Sequence, residues 1–408
     1  MNMTNASPVD PRKRIVILDA LRGFALLGIV CANFPEFSLW SFMSGETREA
    51  IPYSAFDKIV NWLLYIFIDG KFYTIFSILF GIGFSIIIER ARSRGANGMA
   101  IFHRRMILLL LIGVSHMLFL WSGDILTLYA AMGILLPLFS RCDDKTLLRW
   151  ALFFLLLPVI VEVFRAICGD FLSSALYDAW WNTAAANGIN EENFATWLRD
   201  ATDYPHVFAF LCQGAVERMW EFVVGSRYFK VLGLFLIGFY IGRRKIFYHL
   251  DENRHFIEKT CKCGMLLGLP LSLLYAWSSM SSHPLGNVAH AVFYFISVYP
   301  LGFSYIACLV LLYMKRADMR LWTLFAYPGR MALTCYIAQS LFGIVLFYGI
   351  GFGLGTSVCL LFVILLSISV FAFETFLCAL WLRRFRFGPI EWVWRMLTYG
   401  KWFSLRLE

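Results

Sequence analysis

Apolar residues run through this chain in stretches as long as a bilayer is thick. Ten of them, residues 15–34, 71–89, 105–121, 124–140, 147–168, 229–243, 261–280, 291–314, 330–350 and 356–382, approach or reach the span a helix needs. That span is about 20 residues for about 30 Å of hydrocarbon. Polar residues gather between the runs in short clusters. The pattern predicts an all-α polytopic membrane protein, a bundle of about ten transmembrane helices, with the sixth run the shortest. Two connections are too long for turns. Residues 35–70 contain the apolar stretch "FDKIVNWLLYIFIDG", and residues 169–228 carry Asp170, Asp178, Glu191, Glu192, Asp200, Asp203, Glu217 and Glu221. Their periodicity predicts helices lying on, or dipping into, the outer interface. Loops of this length in a compact protein commonly act as lids or binding walls.

Basic residues orient the runs. With ten crossings, 27 of the 36 Lys and Arg fall on one side, 8 on the other, and Arg22 lies inside the first run. This bias puts the Lys- and Arg-rich side, and both termini, in the cytoplasm. The expected organisation is a cytoplasmic N-terminal tail (1–14), a transmembrane bundle (15–384) and a cytoplasmic interfacial tail (385–408). The last contains Glu391 and Arg395 and is expected to anchor through Trp392, Trp394 and Trp402.

Composition agrees. The chain is 60% hydrophobic and 15% charged, against about 25% charged in soluble domains. Its net charge of +9 belongs to the orienting clusters, so no nucleic-acid partner is expected. Most of the ten Cys lie inside apolar runs as small buried hydrophobes. No zinc spacing is present, and neither a metal nor a disulfide is expected. No cleavage site of the secretory kind follows the N-terminus.

Polar residues inside the runs carry the candidate chemistry, because charge at membrane depth is costly. In "RIVILDALRGFALLGIVCAN" Asp19 and Arg22 are three apart and share a helix face. Arg22 and Asn33 are about three turns, or about 16 Å, apart on that same face. An ion pair that holds the bundle is the plainer reading of Asp19 and Arg22, but it leaves Asn33 unexplained. In "DGKFYTIFSILFGIGF" Asp69 and Lys71 stand at the outer end, and Gly81 and Gly83 permit close helix packing. In "HRRMILLLLIGVSHMLFLWSGDIL" His116 lies within the apolar run and Asp124 follows a tight outer turn. Histidine titrates near neutrality and serves as a general base. Asn33, Asp69, Lys71, His116 and Asp124 all project to the outer half from four helices. On the cytoplasmic side Arg104 and Arg105 open the third run and suit phosphates. Tyr336 and Gln339 sit mid-helix in "GRMALTCYIAQSLFG", and "FYGIGFGLGTS" has Gly at alternate positions, read as a flexible outer turn or a close packing point.

These stretches, together with "GPIEWVWRMLTYG", resemble the DUF418 (YeiB-like) family of bacterial inner-membrane proteins, in order and from end to end. "LDALRG" followed by Asn33 is similar to the opening helix of the transmembrane acyltransferase superfamily, which includes the acyltransferase-3 and heparan glucosaminide N-acetyltransferase families. The resemblance implies transfer of an acyl group from cytoplasmic acyl-CoA, acetyl-CoA first among such donors, to a lipid- or glycan-like acceptor on the outer face. Arg22 matches the Arg of the shared motif. Asn33 stands where acyltransferase-3 proteins carry a catalytic His, a departure shared with the glucosaminide family. His116 is then the expected base, or the carrier of the acyl group, oriented by Asp124, with Asn33 or Lys71 stabilising the oxyanion and Asp69 nearby. Arg22, Asp19, Arg104, Arg105 and Gln339 are the expected donor-binding residues. Membrane lipids are expected neighbours, and a homodimer is left open. The alternative is a transporter or flippase of a small polar or lipidic substrate, the polar stripe then lining its path. A structural subunit would instead pair all these residues with each other.

Overall fold

The computed structural model describes residues 15–407, so the expected tail 1–14 and Glu408 lie outside the described residues. The chain forms helices α1 (Val16–Phe37), α2 (Gly45–Glu49), α3 (Asp57–Phe67), α4 (Lys71–Ser93), α5 (Gly98–Phe119) and α6 (Leu126–Leu135). There follow α7 (Asp144–Cys168), α8 (Phe171–Ala186), α9 (Trp197–Asp200), α10 (Tyr204–Val224), α11 (Arg227–Arg243) and α12 (Arg254–Met280). The last are α13 (Gly286–Lys315), α14 (Arg320–Arg330), α15 (Ala332–Phe347), α16 (Leu360–Trp381) and α17 (Pro389–Tyr399). No strand forms among the described residues beyond one isolated bridge, Phe385 with Arg406. Lipid leaves this solution open because a helix satisfies its backbone internally.

Among the described residues seven helices are long and apolar enough to span a bilayer, or nine if two sharply bent pairs each count as one span. The chain is thus a polytopic membrane protein. Each of the ten expected runs is helical, but three fall short on their own. The fourth is α6 with its following turn, Leu126–Phe139. The sixth, α11, is the second half of a pair bent by 65° from α10. The ninth, α15, meets α14 at 79°. Hydropathy alone counts a run; it does not register that the chain turns inside the bundle.

Chain entry into the helices is set by short polar caps. Asn97, Asp143, Asp170 and Asp203 accept from backbone N–H groups of the first turns of α5, α7, α8 and α10. Each satisfies a donor that the helix leaves unpaired. The break between α14 and α15 needs the same service deep inside the protein. Glu391 of α17 provides it, accepting from Leu333 N at 2.7 Å, Thr334 N at 3.0 Å and the Thr334 hydroxyl at 2.5 Å. The tail is therefore part of the bundle. Trp394 is buried, with its ring under the Arg105 guanidinium at 3.6 Å, while Trp402 is exposed.

α1 lies at the centre and α7 at the rim: 61% of the α1 apolar window is buried, against 17% for α7. Two glycines let α1 and α14 nearly touch. A Cβ on Gly23 would sit 1.9 Å from the Phe325 carbonyl oxygen, and one on Gly329 1.8 Å from that of Asp19. Small residues at such crossings allow backbones to approach. Gly81 plays the same part between α4 and α11, where a Cβ would fall 2.1 Å from the Phe235 carbonyl oxygen. Gly83 does not; it meets nothing and faces a cavity. In the glycine-rich turn, Gly349 packs closely on the backbone of Arg199 and Ala201.

Candidate functional site

A single cavity of about 720 Å³ follows α1 from Asp19 to Glu36. At 1.5 Å per residue that is about 26 Å of depth, most of a hydrocarbon core. Its two ends differ in chemistry.

At one end five arginines from five elements line the wall: Arg22 of α1, Arg90 of α4, Arg105 of α5, Arg330 of α14 and Arg395 of α17. Asp19 sits among them, paired with Arg22 at 2.7 Å. Tyr399 and Trp394 complete the floor. Guanidinium groups converging on an enclosed space suit a polyanion, since each presents a fork of donors that matches phosphate oxygens. Arg104, expected here, is not on the cavity wall; its guanidinium lies beside Gly400. Gln339 is also elsewhere, buried between α15 and α16 and donating to Glu374 at 2.9 Å.

At the other end the wall carries Asn33 and Glu36 of α1, Asp69, Asp124 and Arg218. Asn33 makes no hydrogen bond among the described residues, so its amide is offered to whatever fills the space. Arg218 of α10 ties this region together. It donates to the Ser122 carbonyl at 3.0 Å and reaches Glu36 at 3.4 Å and Glu221 at 2.5 Å. It thus joins the end of α1 to the turn that bears Asp124. Phe37 stacks on Trp121 of that turn, centroids 4.3 Å apart. The dipping helix of segment 169–228 is α10, and its buried Arg218 makes that segment a cavity wall.

Asp124 is held on both oxygens. His116 Nδ1 lies 3.0 Å from Oδ1, and Thr127 N donates to Oδ2 at 2.7 Å. His116 Nε2 in turn lies 2.8 Å from the Ser340 hydroxyl. Serine, histidine and aspartate in this order form the contacts of a nucleophilic triad. Here, though, the order faces backwards. All three are buried, but Asp124 belongs to the cavity wall, whereas His116 and Ser340 do not. A nucleophile must reach its substrate, and of the three only Asp124 is on the wall. Both ring nitrogens of His116 are engaged, so the residue expected as base stands behind Asp124 and positions it.

Asp69 and Lys71 do not form an ion pair with each other. Asp69 lines the cavity and accepts from the Tyr275 hydroxyl. Lys71 is fully buried, donates to the Tyr65 carbonyl at 2.7 Å and lies over the Tyr275 ring. It is off the wall and out of reach of an oxyanion there. Around Asp69 the wall also bears Lys230, His283, His290 and Tyr294. The five expected residues therefore gather at one end of one cavity, but only Asn33, Asp69 and Asp124 face it.

Sequence reasoning missed Glu36, Arg218 and His290. Glu36 was within reach, being three residues beyond Asn33 on the same face. Arg218 lies in the outer segment 169–228, and nothing local in the sequence shows that α10 enters the bundle.

A family model described as "Protein of unknown function (DUF418)" matches residues 241–401. The chain is 30% identical to the uncharacterized protein YxaH of Bacillus subtilis (strain 168), the match covering 98% of each chain. It is 29% identical to an uncharacterized 39.9 kDa protein of the amylase 3' region of Bacillus acidopullulyticus, again over 98% of each. It is 26% identical to the uncharacterized protein YeiB of Escherichia coli (strain K12), over 95% of this chain and 96% of that one.

Proposed function

This chain belongs to the DUF418 (YeiB-like) family, and from that premise we propose that it is an acyltransferase of the bacterial inner membrane. It moves an acyl group from cytoplasmic acyl-CoA to a hydroxyl or amine acceptor at the outer face. The observation that carries the reading is the one cavity with two unlike ends, five arginines at one and Asn33 with Asp124 at the other. With α6, α11 and α15 each counted as crossings, the chain passes the membrane ten times. The basic loops then set the arginine end and both termini in the cytoplasm.

In this reading Arg22, Arg90, Arg105, Arg330 and Arg395 grip the phosphates of the donor, and its thiol arm runs along α1 towards Asn33. The acceptor's oxygen or nitrogen attacks the thioester carbonyl. Asp124, held by His116 and Thr127, takes the acceptor's proton. The Asn33 amide donates to the oxyanion that forms. The new C–O or C–N bond replaces the C–S bond, and the thiolate leaves towards the cytoplasmic end and is protonated there.

The test is calorimetric binding of coenzyme A to the protein in lipid nanodiscs. Wild type binds, and Arg105→Ala with Arg395→Ala weakens binding at least about tenfold, the scale of one lost charge-assisted contact. Coenzyme A that fails to bind, or binds both proteins equally, overturns the reading. One observation favours the transport alternative: the two bent helix pairs, at 65° and 79°, of the kind that form transporter sites. A transporter leaves acyl-CoA intact, so free thiol release from acetyl-CoA separates the two.

A further inference from the structure

With Lys71 off the cavity wall and donating to the Tyr65 carbonyl, Asn33 is left as the single assigned donor to the oxyanion. Addition at a carbonyl is commonly met by two donors. Arg218 stands close by, but its guanidinium is committed to the Ser122 carbonyl, Glu36 and Glu221.

Tyr336 of α15 is placed differently. It is 5% exposed and lines the cavity, as do the two residues its hydroxyl stands beside, Asp124 and Ile125. The hydroxyl oxygen accepts from Ile125 N at 3.3 Å, one peptide bond beyond Asp124. A phenol has a proton to give as well as lone pairs to offer. Here a lone pair is engaged, and the proton has no acceptor among the described residues. A buried donor without a partner is costly, and the open space beside this one is the cavity. The ring is held from behind. Its centroid lies 5.2 Å from that of His116, whose far nitrogen meets Ser340, one turn along α15.

Asn33 serves the same part of the cavity. Arg218 ties Glu36 to the Ser122 carbonyl, which fixes the end of α1 against the turn that bears Asp124. Asn33 is three residues inward of Glu36, about 4.5 Å along the helix. An amide from α1 and a hydroxyl from α15 thus border the space that Asp124 faces.

We propose that the Tyr336 hydroxyl is the second donor to the oxyanion, paired with the Asn33 amide. The proposal rests on the acyltransferase reading. Attack by the acceptor's oxygen or nitrogen on the thioester carbon moves the carbonyl electron pair onto its oxygen, and the acceptor's proton goes to Asp124. Tyr336 and Asn33 donate hydrogen bonds to that oxygen and keep their protons. The electron pair returns as the C–S bond breaks and the thiolate leaves. The bond from Ile125 N orients the hydroxyl in advance and polarises it as a donor.

The experiment compares wild type with Tyr336→Phe, each as the full chain in nanodiscs. Phe keeps the ring against His116 and removes only the hydroxyl. The readouts are coenzyme A binding, thiol release from acetyl-CoA with water as the acceptor, and the infrared carbonyl stretch of bound acetyl-CoA, isotope-labelled at the thioester carbonyl. Tyr336→Phe binds coenzyme A as wild type does, with kcat for thiol release about 10²–10³-fold lower, the scale of one lost oxyanion donor, and KM little changed. The carbonyl stretch moves to higher frequency, because an oxygen that accepts fewer hydrogen bonds is less polarised. Fluorotyrosine at the same position, a stronger donor of nearly equal size, moves it the other way. A residue that only caps Ile125 would leave the stretch in place. An unchanged kcat in Tyr336→Phe, or an unchanged stretch in both variants, overturns the proposal and leaves the acyltransferase reading standing. Wild type that binds no coenzyme A overturns both.

Discussion

Replacing Glu391 tests how the last helix is built into the bundle. Its carboxylate accepts two backbone N–H groups at the start of α15 and the Thr334 hydroxyl. It is 6% exposed, so water does not stand ready to replace it. Glu391→Ala orphans both N–H groups, at about 1–3 kcal/mol each when buried. It also removes a negative charge from a helix N-terminus, worth about 0.3–1 kcal/mol. The expected loss is about 2–7 kcal/mol, with water admitted from the cavity favouring the lower end. Glu391→Gln keeps an oxygen for both N–H groups, and its amide nitrogen still meets the Thr334 hydroxyl. It loses only the charge, and about 1 kcal/mol. The assay is thermal unfolding in detergent followed by tryptophan fluorescence, with coenzyme A binding as a second readout, since Trp394 and Arg395 share the helix. The expected order of melting is wild type, then Gln slightly below, then Ala well below. If Ala melts with wild type, the α14–α15 break does not depend on this cap, and the argument that α17 belongs to the bundle fails.

Three more outcomes follow from the geometry. Asp124→Asn lowers thiol release from acetyl-CoA about 10²–10⁴-fold, the range for a lost general base, whereas Ser340→Ala changes it little. Equal losses in the two would restore Ser340 as a nucleophile. Gly329→Ala drives a methyl group into the Asp19 carbonyl and costs about 1–3 kcal/mol of stability, while Gly83→Ala, in open space, leaves the melting temperature unchanged. His116→Ala reduces thiol release less than Asp124→Asn does, because it loosens the carboxylate without removing it. The reverse order would return the base to the imidazole.

Much of the fold was legible because lipid imposes a simple rule. Every expected run is helical, since backbone in hydrocarbon has few other solutions. What escaped was where the chain bends. The α10–α11 break falls at Gly225–Ser226, with Ser226 in a left-handed conformation at φ 47°. Ser226 is no typical left-handed residue, so the sequence gives no warning. The α14–α15 break falls just after Pro328, and proline alone does not decide whether a helix kinks or stops. What settles it is Glu391, 58 residues from Leu333. Long-range partners of this kind have no periodic signature.

The site was legible by residue type and not by direction. Helix spacing correctly grouped Arg22 with Asn33, because an eleven-residue interval returns to the same face in a straight helix. It could not tell which member of a polar pair meets the cavity and which stands behind it. His116 and Asp124 are a pair in either arrangement. On general grounds the imidazole is the natural base and the carboxylate its support. The surroundings put Asp124, and not His116, on the cavity wall. Asp124 sits where the α5–α6 turn opens onto the cavity, and its second oxygen is fixed by the first turn of α6. His116 sits one helix turn before the end of α5, between that turn and α15, where Ser340 and the Tyr336 ring enclose it. A buried histidine with both nitrogens engaged holds its neighbour in one orientation, as supporting residues do around reactive groups. In the proposed transferase the Asp124 carboxylate acts with the His116 imidazole behind it. Its reach is set by Asn33 across the cavity, by Arg218 closing the turn, and by how far a thioester can travel along α1 from the arginines.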